Sequence, residues 1–411
     1  MTRLRSPVLR HLTAAGFALV LLAGCPAPPP APPPAKAPPA SMAALERVPC
    51  PRFEDDLGFA GLEEALAQSI AWLKRQPPER GFSFGPDHYP AAHLLLSLER
   101  FRDLLSRQPP AGGLEAQLEA DYLCYRATGR DGDGQVLYTG YYEPVLEGRL
   151  EPHAEFRHPV WGRPEDLITV DLGEFAERLR GERIAGRLEG KRLVPYPERR
   201  DIEERGLLYD RARPLAWVRD PVGLFFLHVQ GSGKIALENG TLLQLAYDGA
   251  NGRPYRSIGR LLIAEGKIAA EEMSLPAIRR YLADHPQEIP RVLYENPSYI
   301  FFRVAPEGPL GALGVRLTAG RSLALDRTLF PEAALAFAVT RKPSSGEPAA
   351  PLAWVEARRF LLVQDTGSAI TGPGRADLFW GTGPEAELAA GGLKHPGLLY
   401  LLVLRPERAP P

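Results

Sequence analysis

The sequence predicts an α+β fold, mainly β with some helices, in which a main domain is divided in sequence by an inserted β domain. The 411-residue chain contains 43 prolines and 40 glycines, an excess that favours turns and β structure. Amphipathic helical patterns occur near the beginning of the chain and again after residue 257, and the segment between them, 147–256, carries short strand signals rich in turns. The length also exceeds what one core usually serves, so one large or two moderate domains are expected.

Residues 1–24 have the build of a secretory signal. Arg3, Arg5 and Arg10 precede an apolar stretch, and the sequence Leu-Ala-Gly-Cys closes it at Cys25. This ending is similar to a bacterial lipobox, so we expect Cys25 to become the lipidated first residue of the mature protein. A simple cleaved signal or a short membrane anchor is the alternative.

Residues 25–48 are predicted to form a lipid anchor and a proline-rich linker. Nine of the fifteen residues from 26 to 40 are proline, which favours extended polyproline over a packed element. At about 3.1 Å per residue the spacer could reach roughly 45 Å. The protein is therefore expected to be held off a membrane.

Charge and cysteine content narrow the function classes. Without residues 1–24 the chain has 46 basic and 50 acidic residues, which disfavours a nucleic-acid partner. Besides Cys25 only Cys50 and Cys124 remain. One disulfide could form in an oxidising compartment, but the spacing does not establish it.

Helices are predicted at 61–75, 91–107 and 114–125, where apolar residues recur at helical spacing. A further helix should begin after Ser274, which can cap it, and end at His285-Pro286. Residues 135–146 and the tail from Ile300 onward read as strands, with a loose segment at 342–351.

Familiar catalytic motifs fail on their context. Residues 81–85 match the G-x-S-x-G pattern of serine hydrolases, but no strand precedes them and no clear helix follows. In residues 230–235 the sequence QGSGKI lacks the first glycine and the Ser or Thr of a phosphate-binding loop. No H-E-x-x-H or C-x-x-C pattern is present, so we expect neither a metal nor a cofactor.

Two aspartates on glycine-rich segments carry the remaining chemistry. Asp365 follows an apolar run that reads as a buried strand, and Asp377 lies twelve residues later beside Leu378, Phe379 and Trp380. Apolar neighbours raise a carboxyl pKa, which suits a proton donor near neutral pH. A second acid that stays ionised would complete the pair that breaks glycosidic bonds. The alternative is that both aspartates only cap turns.

At these residues the sequence resembles the membrane-bound lytic murein transglycosylase A family, and the matching segments cover about 250 residues in the family order. They are YTGYYEP (138–144), DPVGLFFLHVQGSGKI (220–235), NGRPYRSIG (251–259), NPSYIFFR (296–303), GVRLTAGRSLALD (314–326) and QDTGSAITGPGRADLFWGTG (364–383).

The resemblance implies a large domain built on a double-psi β-barrel and a small inserted β domain facing it across a groove. The large domain would comprise 49–146 and 257–411, with a three-aspartate barrel at about 310–405, and the inserted domain 147–256. One departure is Pro331-Glu332-Ala333, where relatives commonly have glycine in the third place. The turn there is therefore expected to differ.

The resemblance also implies the site. Asp377 matches the essential acid/base and Asp365 its supporting neighbour. The implied substrate-binding residues are Thr139, Gly140, Tyr141, Tyr142, Gln230, Gly231, Ser232, Gly233, Asp326, Arg375 and Trp380.

The expected function is a lytic transglycosylase that cuts the β-1,4 bond between N-acetylmuramic acid and N-acetylglucosamine and leaves 1,6-anhydro ends. A peptidoglycan hydrolase that uses water and a noncatalytic peptidoglycan-binding lipoprotein are the alternatives. Pro26, rather than aspartate, follows Cys25, which favours the periplasmic face of the outer membrane. Peptidoglycan strands and the membrane are the expected partners, and cell-wall synthases or divisome proteins are candidates.

Overall fold

The computed structural model describes residues 44–107, 112–306, 308–344, 353–367 and 369–408. The predicted signal, the lipidation site Cys25, most of the proline-rich linker and most of the loose segment 342–351 lie outside these residues. None of the described helices has both the length and the apolar character needed to cross a bilayer.

The helices are spread along the described chain, between residues 62 and 392. In chain order they are α1 (Leu62–Leu73), α2 (Ala91–Ser106), α3 (Gly113–Asp121), α4 (Arg199–Glu204), α5 (Pro221–Gln230), α6 (Ile258–Ala264), α7 (Leu275–Asp284), α8 (Ile289–Leu293) and α9 (Pro384–Gly392).

Strands make up most of the remaining regular structure. They are β1 (Leu45–Val48), β2 (Gly81–Phe84), β3 (Asp87–Pro90), β4 (Tyr122–Ala127), β5 (Val136–Glu143), β6 (Val145–Arg149), β7 (His158–Trp161), β8 (Ile168–Asp171), β9 (Arg183–Glu189), β10 (Arg192–Pro195), β11 (Pro214–Val218), β12 (Gly233–Leu237), β13 (Leu242–Ala250), β14 (Ile300–Val304), β15 (Ser322–Ala324), β16 (Leu335–Pro343), β17 (Trp354–Asp365), β18 (Arg375–Thr382) and β19 (Lys394–Leu404).

Six strands form a closed barrel. Neighbouring strands pair in the order β19, β16, β17, β15, β18 and β5, and β5 pairs with β19 to close the ring. The β15–β17 and β18–β5 pairs are parallel and the others antiparallel. The described fold therefore confirms the predicted α+β class with a β-barrel. β4 pairs with the C-terminal part of β19, from Tyr400 to Leu404, and β1 pairs with β4, so the sheet continues beyond the barrel there.

A second sheet lies between β5 and β15 in chain order. It has the strand order β14, β13, β12, β6, β11 and β7, and a separate three-stranded sheet contains β8, β9 and β10. Both sheets are thus inserted into the barrel sequence. The precise domain boundaries at 147 and 256 stay a prediction.

The largest core lies between the barrel and the first two helices. α1 packs on β17 and α2 packs on β19. The predicted apolar stripe of α1 is buried: Leu62, Leu66, Ile70 and Leu73. A disulfide between Cys50 and Cys124 joins the segment after β1 to β4 and resolves the pairing that the sequence left open.

Local signals explain several helix ends. The Ser274 hydroxyl accepts from the Ala277 amide and caps α7, which ends just before His285-Pro286 as predicted. The helix predicted over 114–125 is wrong at its end, because α3 stops at Asp121 and β4 begins at Tyr122. The following residues are β-prone and pair with both β1 and β19, which outweighs the continued apolar spacing.

Candidate active site

Strand register brings Asp365 and Asp377 to one part of the barrel. Ala324 of β15 is the pairing partner of Asp365 on β17 and of Asp377 on β18. On its other side, Asp377 pairs with Thr139 of β5. The two acids are twelve residues apart in sequence, yet β15, a strand from elsewhere in the chain, lies between the strands that carry them.

The side chain of Asp377 has a single hydrogen bond to a described residue. The Thr139 hydroxyl donates to its Oδ1 over 2.6 Å. The side chain is partly buried and forms no salt bridge within the described part of the chain. Among the residues that the structure describes, Asp377 is therefore in no ion pair, and its Oδ2 receives no hydrogen bond.

Burial raises the pKa of Asp377 from 3.8 to about 6, since loss of water disfavours the charged form. The Thr139 hydrogen bond and the positive charge of Arg375 oppose this rise, and the negative charge of Asp365 adds to it. A carboxyl group with this pKa can hold a proton near neutral pH and still release it.

Asp365 has three hydrogen-bond donors and is therefore much more constrained. The Tyr141 hydroxyl donates to Oδ2 over 2.8 Å, and the amides of Ala312 and Thr366 donate to Oδ1. Burial nevertheless raises the pKa of Asp365, although all three donors favour the ionised form. The Tyr141 ring lies 5.2 Å from that of Phe379, which fixes the tyrosine over this face of the barrel.

Asp326, the third aspartate, anchors a loop. It accepts hydrogen bonds from the amide and hydroxyl of Thr328 and from the Gly372 amide. Burial opposes its charge, but these donors together hold the pKa of Asp326 below its usual range. Asp326 thus ties the segment before β18 to the segment after β15.

The other predicted residues belong to β5 and β18, or to the end of α5 and the residues that follow it. Gln230, the last residue of α5, accepts the Tyr142 amide through Oε1 over 3.1 Å. Tyr142 itself is buried and packs near α9. The remaining positions are the turn residues Gly231, Ser232 and Gly233, and Gly140, Arg375 and Trp380.

Two glycines in these segments have clear structural reasons. Gly231 lies at φ 77°, the left-handed conformation that ends α5. A Cβ on Gly140 would lie 2.7 Å from the Trp380 ring, so the glycine lets the indole pack directly on β5. The Trp380 Nε1 is buried without a hydrogen-bond partner among the described residues.

Glu143 is a buried residue that sequence reasoning did not assign. It is fully buried, it pairs with Lys234 Nζ over 2.9 Å, and it accepts hydrogen bonds from Thr382 and Gln244. These partners belong to β12, β18 and β13, so Glu143 joins the barrel to the second sheet. Its place at the end of an aromatic strand, just before Pro144, was the available signal.

No group of three or more His, Cys, Asp or Glu side chains is placed to hold a metal ion within the residues that the structure describes.

Comparison with protein families gives two matches, and the second contains all three aspartates. The model of the MltA specific insert domain matches residues 137–303, and the model of the 3D domain matches residues 321–403. The chain is 33% identical over 290 residues to the membrane-bound lytic murein transglycosylase A of Vibrio cholerae. The aligned region covers 69% of this chain and 70% of the relative.

Solved structures show the same fold. A membrane-bound lytic murein transglycosylase from Agrobacterium tumefaciens superposes with a TM-score of 0.71 at 32% identity. The superposition covers 88% of this chain and 98% of the A. tumefaciens chain. The E. coli MltA with bound chitohexaose gives a TM-score of 0.67 at 25% identity, and the superposition covers 89% of this chain and 96% of the E. coli chain. These matches agree with the double-psi barrel and inserted β domain, and the chain belongs to the membrane-bound lytic murein transglycosylase A family.

Proposed function

We propose that the protein is a peptidoglycan lytic transglycosylase in which Asp377 is the catalytic acid and base. The observation that carries this proposal is the environment of Asp377, a partly buried carboxyl with one hydrogen-bond donor and a pKa raised to about 6. Relatives named lytic murein transglycosylases support peptidoglycan as the substrate.

In the first step Asp377 gives its proton to the glycosidic oxygen between N-acetylmuramic acid and N-acetylglucosamine. The bond from C1 of the muramic residue to that oxygen breaks, and positive charge develops on the muramic ring. The resulting Asp377 carboxylate then removes the proton from the C6 hydroxyl of the same sugar. The C6 oxygen bonds to C1 and closes the 1,6-anhydro ring.

This sequence uses no water, and Asp377 ends as it began, with its proton restored. The nucleophile belongs to the substrate, so its proximity to C1 is already provided. The free oxygen of Asp377 is the atom available for both proton transfers.

The hydrogen bonds of Asp365 favour this reaction over hydrolysis. An inverting hydrolase needs a second carboxylate that can activate water. Asp365 already accepts from Tyr141, Ala312 and Thr366. We propose instead that it supports Asp377 by keeping negative charge near the reacting sugar, while Tyr141 and the turn from Gln230 to Gly233 line the substrate groove between the two domains.

The test is cleavage of purified murein by the parent protein, Asp377→Asn, and Asp103→Asn as a control on the exposed face of α2. Asp377→Asn should lose at least roughly a thousandfold in rate, since an amide cannot exchange the proton. Mass spectrometry should show anhydro ends for the parent and control. Reducing ends would instead identify a hydrolase, and absence of any cleavage by the parent in a zymogram would favour a noncatalytic binder.

We further propose that Cys25 is lipidated and that the enzyme works at the periplasmic face of the outer membrane. The relatives' names describe them as membrane-bound, which supports an anchor. Cys25→Ala should release the protein from the outer-membrane fraction into the soluble periplasm. Recovery of the parent protein with the inner membrane would contradict this location.

A further inference from the structure

A cavity of about 390 Å³ lies in the inserted region, away from the aspartates. Its walls come from β7, α4, the first turn of α5, and α8 together with the residues that follow it. None of Thr139, Tyr141, Asp365 or Asp377 lines it. Its size falls in the range of roughly 300–1,000 Å³ that is typical of sites for small molecules.

Helix α5 separates this cavity from the predicted groove. Pro221 and Leu224, in its first turns, line the cavity, whereas Gln230 at its other end binds the Tyr142 amide. From Pro221 to Gln230 the axis rises about 14 Å at 1.5 Å per residue. The cavity is therefore a separate site.

Aromatic rings form much of the cavity wall. Trp161 and Tyr299 are buried at its base, and Tyr209, which is 58% exposed, stands at its mouth. The Tyr209 ring meets Trp161 edge to face with 5.1 Å between centroids. Such rings offer flat apolar faces to a ligand and polar tips at their edges.

Tyr299 contributes an unused donor. The residue is 1% exposed, and its backbone is held by hydrogen bonds with Asn251. Its hydroxyl has no hydrogen-bond partner anywhere in the described ranges. Tyr299 lines the cavity, so its hydroxyl is available to donate to a ligand there.

Glu203 contributes an acceptor that is open to solvent at the cavity. Its Oε1 accepts from Arg199 Nη1 over 3.0 Å, while its Oε2 receives no hydrogen bond from a described residue. Arg199 is 1% exposed and also donates to the carbonyls of Asn296 and Ser298. Because the Glu203 charge is already balanced, a bare cation would gain little there, and Arg199 has no room for an anion.

We propose that this cavity binds one neutral sugar residue of a glycan chain, making it a second glycan site outside the catalytic groove. Sugar hydroxyls both donate and accept, so they can donate to Glu203 Oε2 and accept from the Tyr299 hydroxyl, two groups that line the same cavity. The apolar face of the sugar ring would pack on Trp161 and Tyr209. Murein as the source of that glycan rests on the proposed function, whereas the chemistry of the cavity does not.

The experiment measures binding without cleavage. The full chain carrying Asp377→Asn, in detergent, is titrated calorimetrically with chitobiose, a neutral dimer of N-acetylglucosamine. Two binding events are expected, one of which quenches or shifts tryptophan fluorescence through Trp161. Because no turnover is measured, failure of Asp377 as the acid would leave this result unchanged.

Tyr299→Phe is the main variant, because it removes only a hydroxyl that has no hydrogen-bond partner in the described part of the chain and should leave the melting temperature unchanged. It should weaken one of the two events roughly three- to tenfold, as expected for one lost hydrogen bond. Glu203→Gln should weaken the same event, and Tyr247→Phe, an exposed tyrosine on β13, should weaken neither.

Three results would overturn the proposal. They are a single binding event that Tyr299→Phe leaves unchanged, two events that Tyr299→Phe leaves unchanged, and displacement of chitobiose from this site by the diamine cadaverine at lower concentration. The last result would identify the cavity as a site for cations. A single event that Tyr299→Phe weakens would place the sugar in the cavity and show that chitobiose does not bind the groove.

Discussion

Replacing Thr139 with valine removes the one hydrogen bond that Asp377 receives from the described residues and nearly preserves side-chain shape. The Thr139 hydroxyl, 2.6 Å from Oδ1, favours the ionised carboxylate and so lowers the pKa of Asp377. A hydrogen bond to a charged group contributes about 1.5–3 kcal/mol, and about 1.36 kcal/mol corresponds to one pKa unit. Because Asp377 keeps some contact with solvent, the lower end applies, and its pKa should rise by about one unit above the present value of about 6.

The assay is the pH dependence of kcat/KM for murein cleavage. The rate should fall on the alkaline side as Asp377 loses the proton that it must donate. In Thr139→Val this alkaline limb should move upward by about one pH unit. Thr139→Ser, which keeps the hydroxyl, should remain near the parent. An alkaline limb at the same pH in Thr139→Val and the parent, with both proteins folded by circular dichroism, would refute the reasoning.

Three predictions concern stability. Burial raises the Asp377 pKa from 3.8 to about 6, so the folded protein loses stability as pH rises through this window, by roughly 3 kcal/mol. Asp377→Asn should therefore raise the melting temperature above pH 6 but not below pH 4, and an equal gain at both would contradict it. Replacing Cys50 and Cys124 by alanine removes a disulfide between residues 74 positions apart, and the free energy of unfolding measured in urea should fall by about 4 kcal/mol. An unchanged urea midpoint would contradict this. Ala333→Gly should raise the free energy of unfolding by about 0.5–1 kcal/mol, because Ala333 has the left-handed φ of 59° that glycine adopts without strain. Ala334→Gly, at the next position, should lower it. The reverse order would show that Ala333 is not strained.

The sequence was informative where the signals were local. The apolar stripe of α1 and the Ser274 cap of α7 depend on residues within a few positions of each other, and both were predicted. Helix α5 was read instead as part of a β segment. Its residues Val222 to His228 are all buried, so no polar face marks the helical period. The start is signalled only locally, by Asp220, whose Oδ1 accepts the Val222 amide, and by Pro221 as the first helical residue.

The candidate site was harder to predict because strand register joins residues far apart in the chain. Thr139 and Asp377 are separated by 238 positions, and the strand between the two acids comes from residues 322–324. A single sequence indicates an acid beside apolar residues, but it does not show which hydroxyl will face that acid. The burial of Glu143 was hidden for the same reason, since its partner Lys234 lies on a strand of the other sheet.

The closure of the barrel explains why Asp377 has a well-defined donor. Thr139 pairs with Asp377 on one side and with Lys394 of β19 on the other, so its strand has no free edge at this point. A side chain on a strand paired along both edges is held more firmly than one on a loop. The β5–β19 pairing that closes the ring therefore also fixes the hydroxyl that sets the acid strength of Asp377. Changes that loosen this pairing should alter the pH dependence of the enzyme before they unfold it.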